Sequence, residues 1–251
     1  MEINKIYNED CLEGMKRIAD GSIDMILCDL PYGTTECKWD SVIPFGPLWE
    51  QYERIIKDNG AIVLNASQPF TSALVMSNLK LFKYPLVWRK TRIQGFAQAP
   101  YRFMTEHEDI LVFGKGGCAK NAKNRMKFNP QGLIYKPRVT KGKKADASPH
   151  RIRKTDQKNF VSEWTNYPKS IIEIGSDFKT IHPTQKPVAL FEYLIKTYTN
   201  TGELVLDNCM GSGTTAIACM NTGRNFIGFE MDKGYYDIAC DRIERFGDSH
   251  D

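Results

Sequence analysis

Leu204-Val205-Leu206-Asp207-Asn208-Cys209-Met210-Gly211-Ser212-Gly213-Thr214-Thr215-Ala216 reads as a short apolar strand, a glycine-rich turn and the opening of a helix. A strand that feeds a helix through glycines lets the backbone approach a nucleotide closely. It also aims free helix N–H groups at a negative group. Glu230 ends the next apolar run nineteen residues after Gly211, where a carboxylate can accept hydrogen bonds from both ribose hydroxyls. A G-x-G-x-x-A match is also what an ordinary tight turn looks like; the acid at this distance favours the nucleotide. A dinucleotide fold would build two nucleotide-binding halves from this point onward. Only forty residues follow Gly211, which is room for one further strand and its helix. The spacing favours a cofactor without a pyrophosphate, bound by a sheet whose chain order is rotated.

The flanking chain has the matching rhythm. Apolar runs at 22–28, 61–64, 86–88, 109–113 and 225–229 read as buried strands. Helical spacing recurs at Cys11, Leu12, Met15, Ile18 and Ala19, and again at Leu48, Trp49, Tyr52, Ile55 and Ile56, where Gly60 sits at a C-cap position. A further helix carries Leu190, Phe191, Leu194, Ile195 and Tyr198, with Thr184 and Pro187 at its start. Two more helices are expected, one from about Thr214 and one over about 235–246. Alternation of this kind predicts an α/β sheet covered by helices on both faces.

Composition narrows the setting. Hydrophobic residues make up 41% and charged residues 25% of 251, which excludes global disorder. No run of about 18 apolar residues exists to span a membrane, so no membrane association is expected. The start, MEINKIYNED, lacks the order of a secretory signal. Seven cysteines, none in C-x-x-C and none near a histidine at zinc-finger spacing, favour neither a disulfide scaffold nor a metal site, and a reduced cytoplasmic setting is the cheaper reading. The net charge of +4 hides an asymmetry. Residues 115–169 carry fifteen Lys and Arg against Asp146, Asp156 and Glu163, a local balance of +12, so the remainder carries −8. That segment points to a polyanionic partner or to a solvated charged loop, and charge alone leaves both open.

Asp29-Leu30-Pro31-Tyr32-Gly33 follows the 22–28 strand at once, where open α/β sheets place their active sites. An aspartate, a turn-fixing proline and an aromatic suit a planar base that bears an exocyclic amine. Carboxylate and backbone carbonyl accept the amine hydrogens, and the ring stacks. The same tetrapeptide could equally end a strand in an Asx turn with a surface tyrosine.

At this point the chain resembles the amino DNA methyltransferases that depend on S-adenosyl-L-methionine, in the β-type motif order. DLPYG (29–33) resembles their D-P-P-Y catalytic motif, and VLDNCMGSGTTAIA (205–218) their cofactor loop. IGFEMDKGYYDIA (227–239) resembles the strand with the ribose-binding acid, HPTQKPVAL (182–190) the helix before the loop, and Tyr7–Leu12 the acidic turn that contacts the adenine of the cofactor. Leu30 replaces the usual first proline, and Asn208-Cys209 stand where Pro-Phe is common; neither removes a reacting group.

The resemblance implies a Rossmann-like methyltransferase sheet with circularly permuted motifs. Residues 1–114 would form the catalytic half, 115–180 a basic target-recognition insertion, and 181–251 the cofactor-binding half. It implies methyl transfer to the amine of a flipped adenine in DNA, with Asp29, Leu30, Pro31 and Tyr32 catalytic. Asp207 would meet the methionine ammonium of the cofactor, and the backbone of Gly211, Gly213, Thr214 and Thr215 its carboxylate. Glu230 would take the ribose and Asp10 with Cys11 the adenine, with Thr184 and Lys186 as further cofactor contacts. Lys141, Lys143 and Lys144 would contact DNA, no metal is implied, and a homodimer is left open. N4-cytosine methylation, methylation of RNA or of a protein amide, and a silent DNA-binding homologue are the alternatives.

Overall fold

Strand β2 (Ile23–Asp29) buries its first six residues without alternation, as a strand covered on both faces must. A computed structural model describes residues 1–33, 40–141, 160–175 and 185–248, and β2 lies at the centre of its main sheet. On one side β2 pairs in parallel with β3 (Ile56–Ala66), and on the other with β9 (Leu204–Asp207). Beyond β9 lie β10 (Asn225–Phe229) and β1 (Lys5–Tyr7), both parallel. Beyond β3 come β5 (Thr105–Phe113), which is antiparallel, then β4 (Phe82–Gln94) and β8 (Ile171–Glu173). The order is therefore β1-β10-β9-β2-β3-β5-β4-β8.

Apolar alternation sends side chains to two cores. Met25, Leu27, Ala61, Val63, Ile110 and Val112 face one side, where α4 (Val188–Tyr198), α5 (Thr214–Thr222) and Ala239 of α6 (Lys233–Asp248) cover them. Ile26, Cys28, Ile62, Leu64, Leu111 and Phe113 face the other. There Met15 of α1 (Cys11–Met15), Leu48, Trp49, Tyr52 and Ile55 of α2 (Phe45–Ile55), and Phe70 and Leu74 of α3 (Phe70–Ser77) close the layer. The expected α/β sheet with helices on both faces is what the chain forms.

One boundary differs. Gly60 does not cap α2, because the chain turns directly into β3 at Ile56. A Cβ at Gly60 would lie 2.8 Å from the Asp24 carbonyl oxygen. Its glycine therefore serves close strand–strand approach rather than helix termination.

Chain contacts separate a second unit, Pro130–Lys169, from the unit formed by 1–129 and 170–251. The basic stretch expected over 115–180 thus contributes its first fifteen residues to the main unit. Within the smaller unit β6 (Ile134–Thr140) and β7 (Phe160–Thr165) pair antiparallel, and the Tyr135 and Trp164 rings meet edge to face at 5.2 Å. Lys141 is exposed, while Lys143 and Lys144 lie outside the described residues, as does Thr184. Among the described residues no helix is long and apolar enough to cross a membrane, and no group of acids, cysteines and histidines could hold a metal.

Candidate active site

The chain leaves β2 towards β3 on one side and leaves β9 towards β10 on the other, so β2 and β9 flank the switch point of the sheet. Crevices outside the carboxyl ends of strands at such a point are where open α/β sheets bind ligands. Asp29 ends β2 and Asp207 ends β9, so two acids stand at this mouth.

The β9 side is the glycine turn. Gly211 and Gly213 have φ of +52° and +82°, which only glycine adopts without strain, and a Cβ at Gly211 would meet nothing within 4 Å. Gly213 caps α5 with no side chain over the helix N-terminus, so the Thr214 and Thr215 end of the helix is left to other acceptors. Asp207 is 3% exposed; it accepts from Cys209 N at 3.0 Å and from the Thr215 hydroxyl. Burial pushes its carboxyl up to about 6 despite these bonds. An acid held so is poised for a cation.

Glu230 follows β10, and its carboxylate bridges Gly211 N at 2.8 Å and Asp232 N at 2.9 Å. Burial nevertheless raises its carboxyl above the ordinary range. Its own N–H donates to the Tyr7 carbonyl at 3.0 Å, and Asn8 Nδ2 donates to its carbonyl at 2.8 Å, which ties the β1 turn to it. Next in that turn, Asp10 caps α1, accepting from Leu12 N and Glu13 N at 2.8 and 3.2 Å. Cys11 stands 3.5 Å from Asn208 Nδ2, so the turn after β1 and the glycine turn meet. Tyr52 donates to Asn208 Oδ1, which gives the unusual Asn208-Cys209 pair a buried partner. Cys28 and Cys219 are pushed up by burial, and Cys11 by its contact with Cys209 and by burial. None of these three is a poised thiolate nucleophile.

On the β2 side, Tyr32 donates to Asp29 Oδ1 at 2.7 Å, and its ring stacks on Phe70 at 5.1 Å. Leu30 is 4% exposed, and Gly33 N donates to Asp40 Oδ1 at 2.8 Å, so the turn around Pro31 is pinned at both ends. Lys186 Nζ donates to Asp29 Oδ2 at 2.7 Å and stands 3.1 Å from Glu108 Oε2. The structure thus joins Lys186 to the Asp29 turn.

A family profile described as DNA methylase matches residues 23–241. The chain belongs to this family of amino DNA methyltransferases. It is 29% identical to the type II methyltransferase M1.MboII of Moraxella bovis, over 95% of this chain and 96% of that one. It is 27% identical to M.HpaI of Haemophilus parainfluenzae, over 96% and 74%. The structure of an M1.HpyAVI–SAM complex matches with TM-score 0.61 at 26% identity, covering 95% of this chain and 98% of that one. S-adenosylmethionine is the cofactor of this DNA methylase family. The buried Asp207, the half-buried Glu230 and the open glycine turn fit a ligand with a cationic group and hydroxyl donors.

Three further residues at this site escape sequence reasoning. Lys90 and Glu108 pair with each other, and Asn65 is fully buried with neither side-chain polar atom bonded. Asn65 lies opposite Asp29 in the β2–β3 register. Glu108 shares strand parity with Ile110 and Val112, and an acid on that apolar face is a signal the sequence does carry. His107, beside it, is exposed.

Proposed function

We propose that this DNA methyltransferase methylates the exocyclic amine of an adenine flipped out of duplex DNA. The observation that carries the reading is Asp29, a carboxylate at the carboxyl end of β2, next to the glycine turn across the switch point. A carboxylate at the first position of the tetrapeptide resembles adenine-directed members of the family.

The adenine amine is a poor nucleophile because its lone pair is delocalised into the ring. Asp29 Oδ1 and the Leu30 carbonyl accept its two hydrogens, which draws the nitrogen towards tetrahedral geometry and localises the lone pair. Oδ1 can accept from Tyr32 and from the amine together, since a carboxylate oxygen carries two lone pairs. Pro31 fixes the turn, and the ring of Tyr32, itself backed by Phe70, stacks on the base. That stacking offsets part of the unstacking cost of roughly a few kcal/mol.

S-adenosylmethionine supplies the sulfonium-activated methyl group. Asp207 holds the ammonium, the backbone of Gly211, Gly213, Thr214 and Thr215 the carboxylate, Glu230 the ribose, and Asp10 with Cys11 the adenine. Thr215, which donates to Asp207, also fixes that acid in place. Lys141, which is exposed, contacts DNA, and so do Lys143 and Lys144.

Labelled-methyl transfer to duplex DNA, RNA and protein, followed by nucleoside analysis of the product, tests this reading. N6-methyladenine in duplex DNA is the expected result. N4-methylcytosine would move the target to the other amine, and label only in RNA or protein would overturn the assignment.

A further inference from the structure

The buried polar groups at the switch point form a chain of alternating charge. Lys90 on β4 pairs with Glu108 on β5, Glu108 with Lys186 just before α4, and Lys186 with Asp29 at the end of β2. The side chains are 9%, 13%, 7% and 24% exposed in that order, so only the Asp29 end opens outward. Strand alternation puts Asp29, Asn65 and Glu108 on one face of the sheet, and Lys186 reaches over that face to touch both acids. Nothing in the pairing reaches Glu230, Gly211 or Gly213.

We propose that Lys186 is a positioning residue for Asp29, with Glu108 and Lys90 holding it in place. The inference rests on the reading of Asp29 as acceptor of the target amine. Two physical needs are met by one ammonium. Lys186 occupies Oδ2, which leaves Oδ1, the oxygen shared with Tyr32, as the one that faces the base. It also offsets the repulsion between Asp29 and Asp207, whose carboxyl Asp29 helps to raise. Burial alone would lower the Lys186 ammonium, but Asp29 and Glu108 outweigh it and hold it above its ordinary range. Burial likewise favours the neutral form of Glu108, and Lys186 with Lys90 outweighs that. Removing Lys186 would leave Asp29 with the Tyr32 hydroxyl as its hydrogen-bond partner and with Asp207 and Glu108 as acidic neighbours.

The arrangement makes two substitutions act in opposite directions. Lys186→Met removes the cation beside Asp29, so the Asp29 carboxyl should hold its proton to higher pH than in wild type. Glu108→Gln leaves the cation and removes its counter-charge, so the same carboxyl should titrate lower. Carbon-13 NMR titration of side-chain carboxyls in the full chain, assigned with Asp29→Asn, reads both shifts without any turnover. The acid limb of single-turnover transfer to unmethylated duplex DNA should move the same way, up in Lys186→Met and down in Glu108→Gln. Affinity for S-adenosylmethionine should stay within about threefold, a change of under 1 kcal/mol. Lys186→Arg should recover part of the transfer rate.

An unmoved Asp29 titration in both variants would overturn the proposal. So would a Lys186→Met enzyme with full transfer rate at saturating cofactor and weakened cofactor binding, which would make Lys186 a cofactor ligand. If Lys186→Met does not fold, the downward shift in Glu108→Gln decides alone. A wild type that transfers nothing to DNA would remove the functional reading, while the titration still judged the pairing.

Discussion

Asp207 carries the clearest pH signature of any single residue. Its carboxyl titrates near about 6 in the folded chain against an ordinary 3.8, because burial outweighs the bonds from Thr215 and Cys209. Between those values the folded protein binds a proton that the unfolded chain does not. Asp207 therefore costs stability above about pH 6, and that cost is relieved as pH falls towards 3.8. A cationic ligand group needs the ionised form, so S-adenosylmethionine affinity should fall below pH 6, approaching tenfold per unit. Calorimetry across pH checks this, and Asp207→Asn should bind weakly with no such step; parallel profiles would exclude Asp207. Asn65 invites a different test. Leaving buried polar atoms unbonded costs about 1–3 kcal/mol, so Asn65→Leu should leave stability unchanged or raise it. If the amide serves the acceptor site, methyl transfer should fall in the same variant; a more stable enzyme with full activity would make Asn65 a structural accident.

Among the elements, the turn between β9 and α5 separates conformation from space. Gly211 and Gly213 both have positive φ, but a Cβ at Gly213 would lie 3.2 Å from the Ala239 Cβ of α6, whereas at Gly211 it would meet nothing. Left-handed backbone costs a non-glycine residue about 1–2 kcal/mol. Gly213→Ala should add a packing penalty and lower the melting temperature more than Gly211→Ala, which should mainly obstruct the ligand and weaken cofactor binding. Equal losses in both would show that α6 can shift away. This turn was legible in the sequence because its glycines and the distance to Glu230 are local facts along the chain. Strand β10 was legible for the same reason, as a run bounded by Arg224 and Glu230. The Lys90–Glu108–Lys186 chain was not, because it joins residues from β4, β5 and the approach to α4 that only strand pairing brings together. Gly60 misled because a glycine after a helical stripe looks the same whether it caps a helix or lets two strands approach.

For the whole molecule, the basic stretch is divided between lysines in structural use and residues expected to meet a polyanion. Lys127 pairs with Glu203 and lies 3.6 Å from Asp24, and Lys115 donates to the Ile56 carbonyl at 3.1 Å. Those two lysines belong to the body of the fold, though the sequence counts them with the basic stretch. The unit Pro130–Lys169 keeps ten Lys and Arg against three acids, and it is here that DNA phosphates are expected to bind. Neutralising Lys141, Lys143 and Lys144 together should weaken binding to duplex DNA. It should also lower the slope of log affinity against log salt by roughly 0.9 for each phosphate that is no longer neutralised. Cofactor affinity should not change, because the glycine turn and Glu230 belong to the other unit. The competing idea, that these lysines only keep a loop solvated, predicts the same slope in variant and wild type. Binding isotherms at several salt concentrations distinguish the two. A slope lower by about two to three would assign most of the cluster to the DNA backbone, and an unchanged slope would remove all three lysines from the interface.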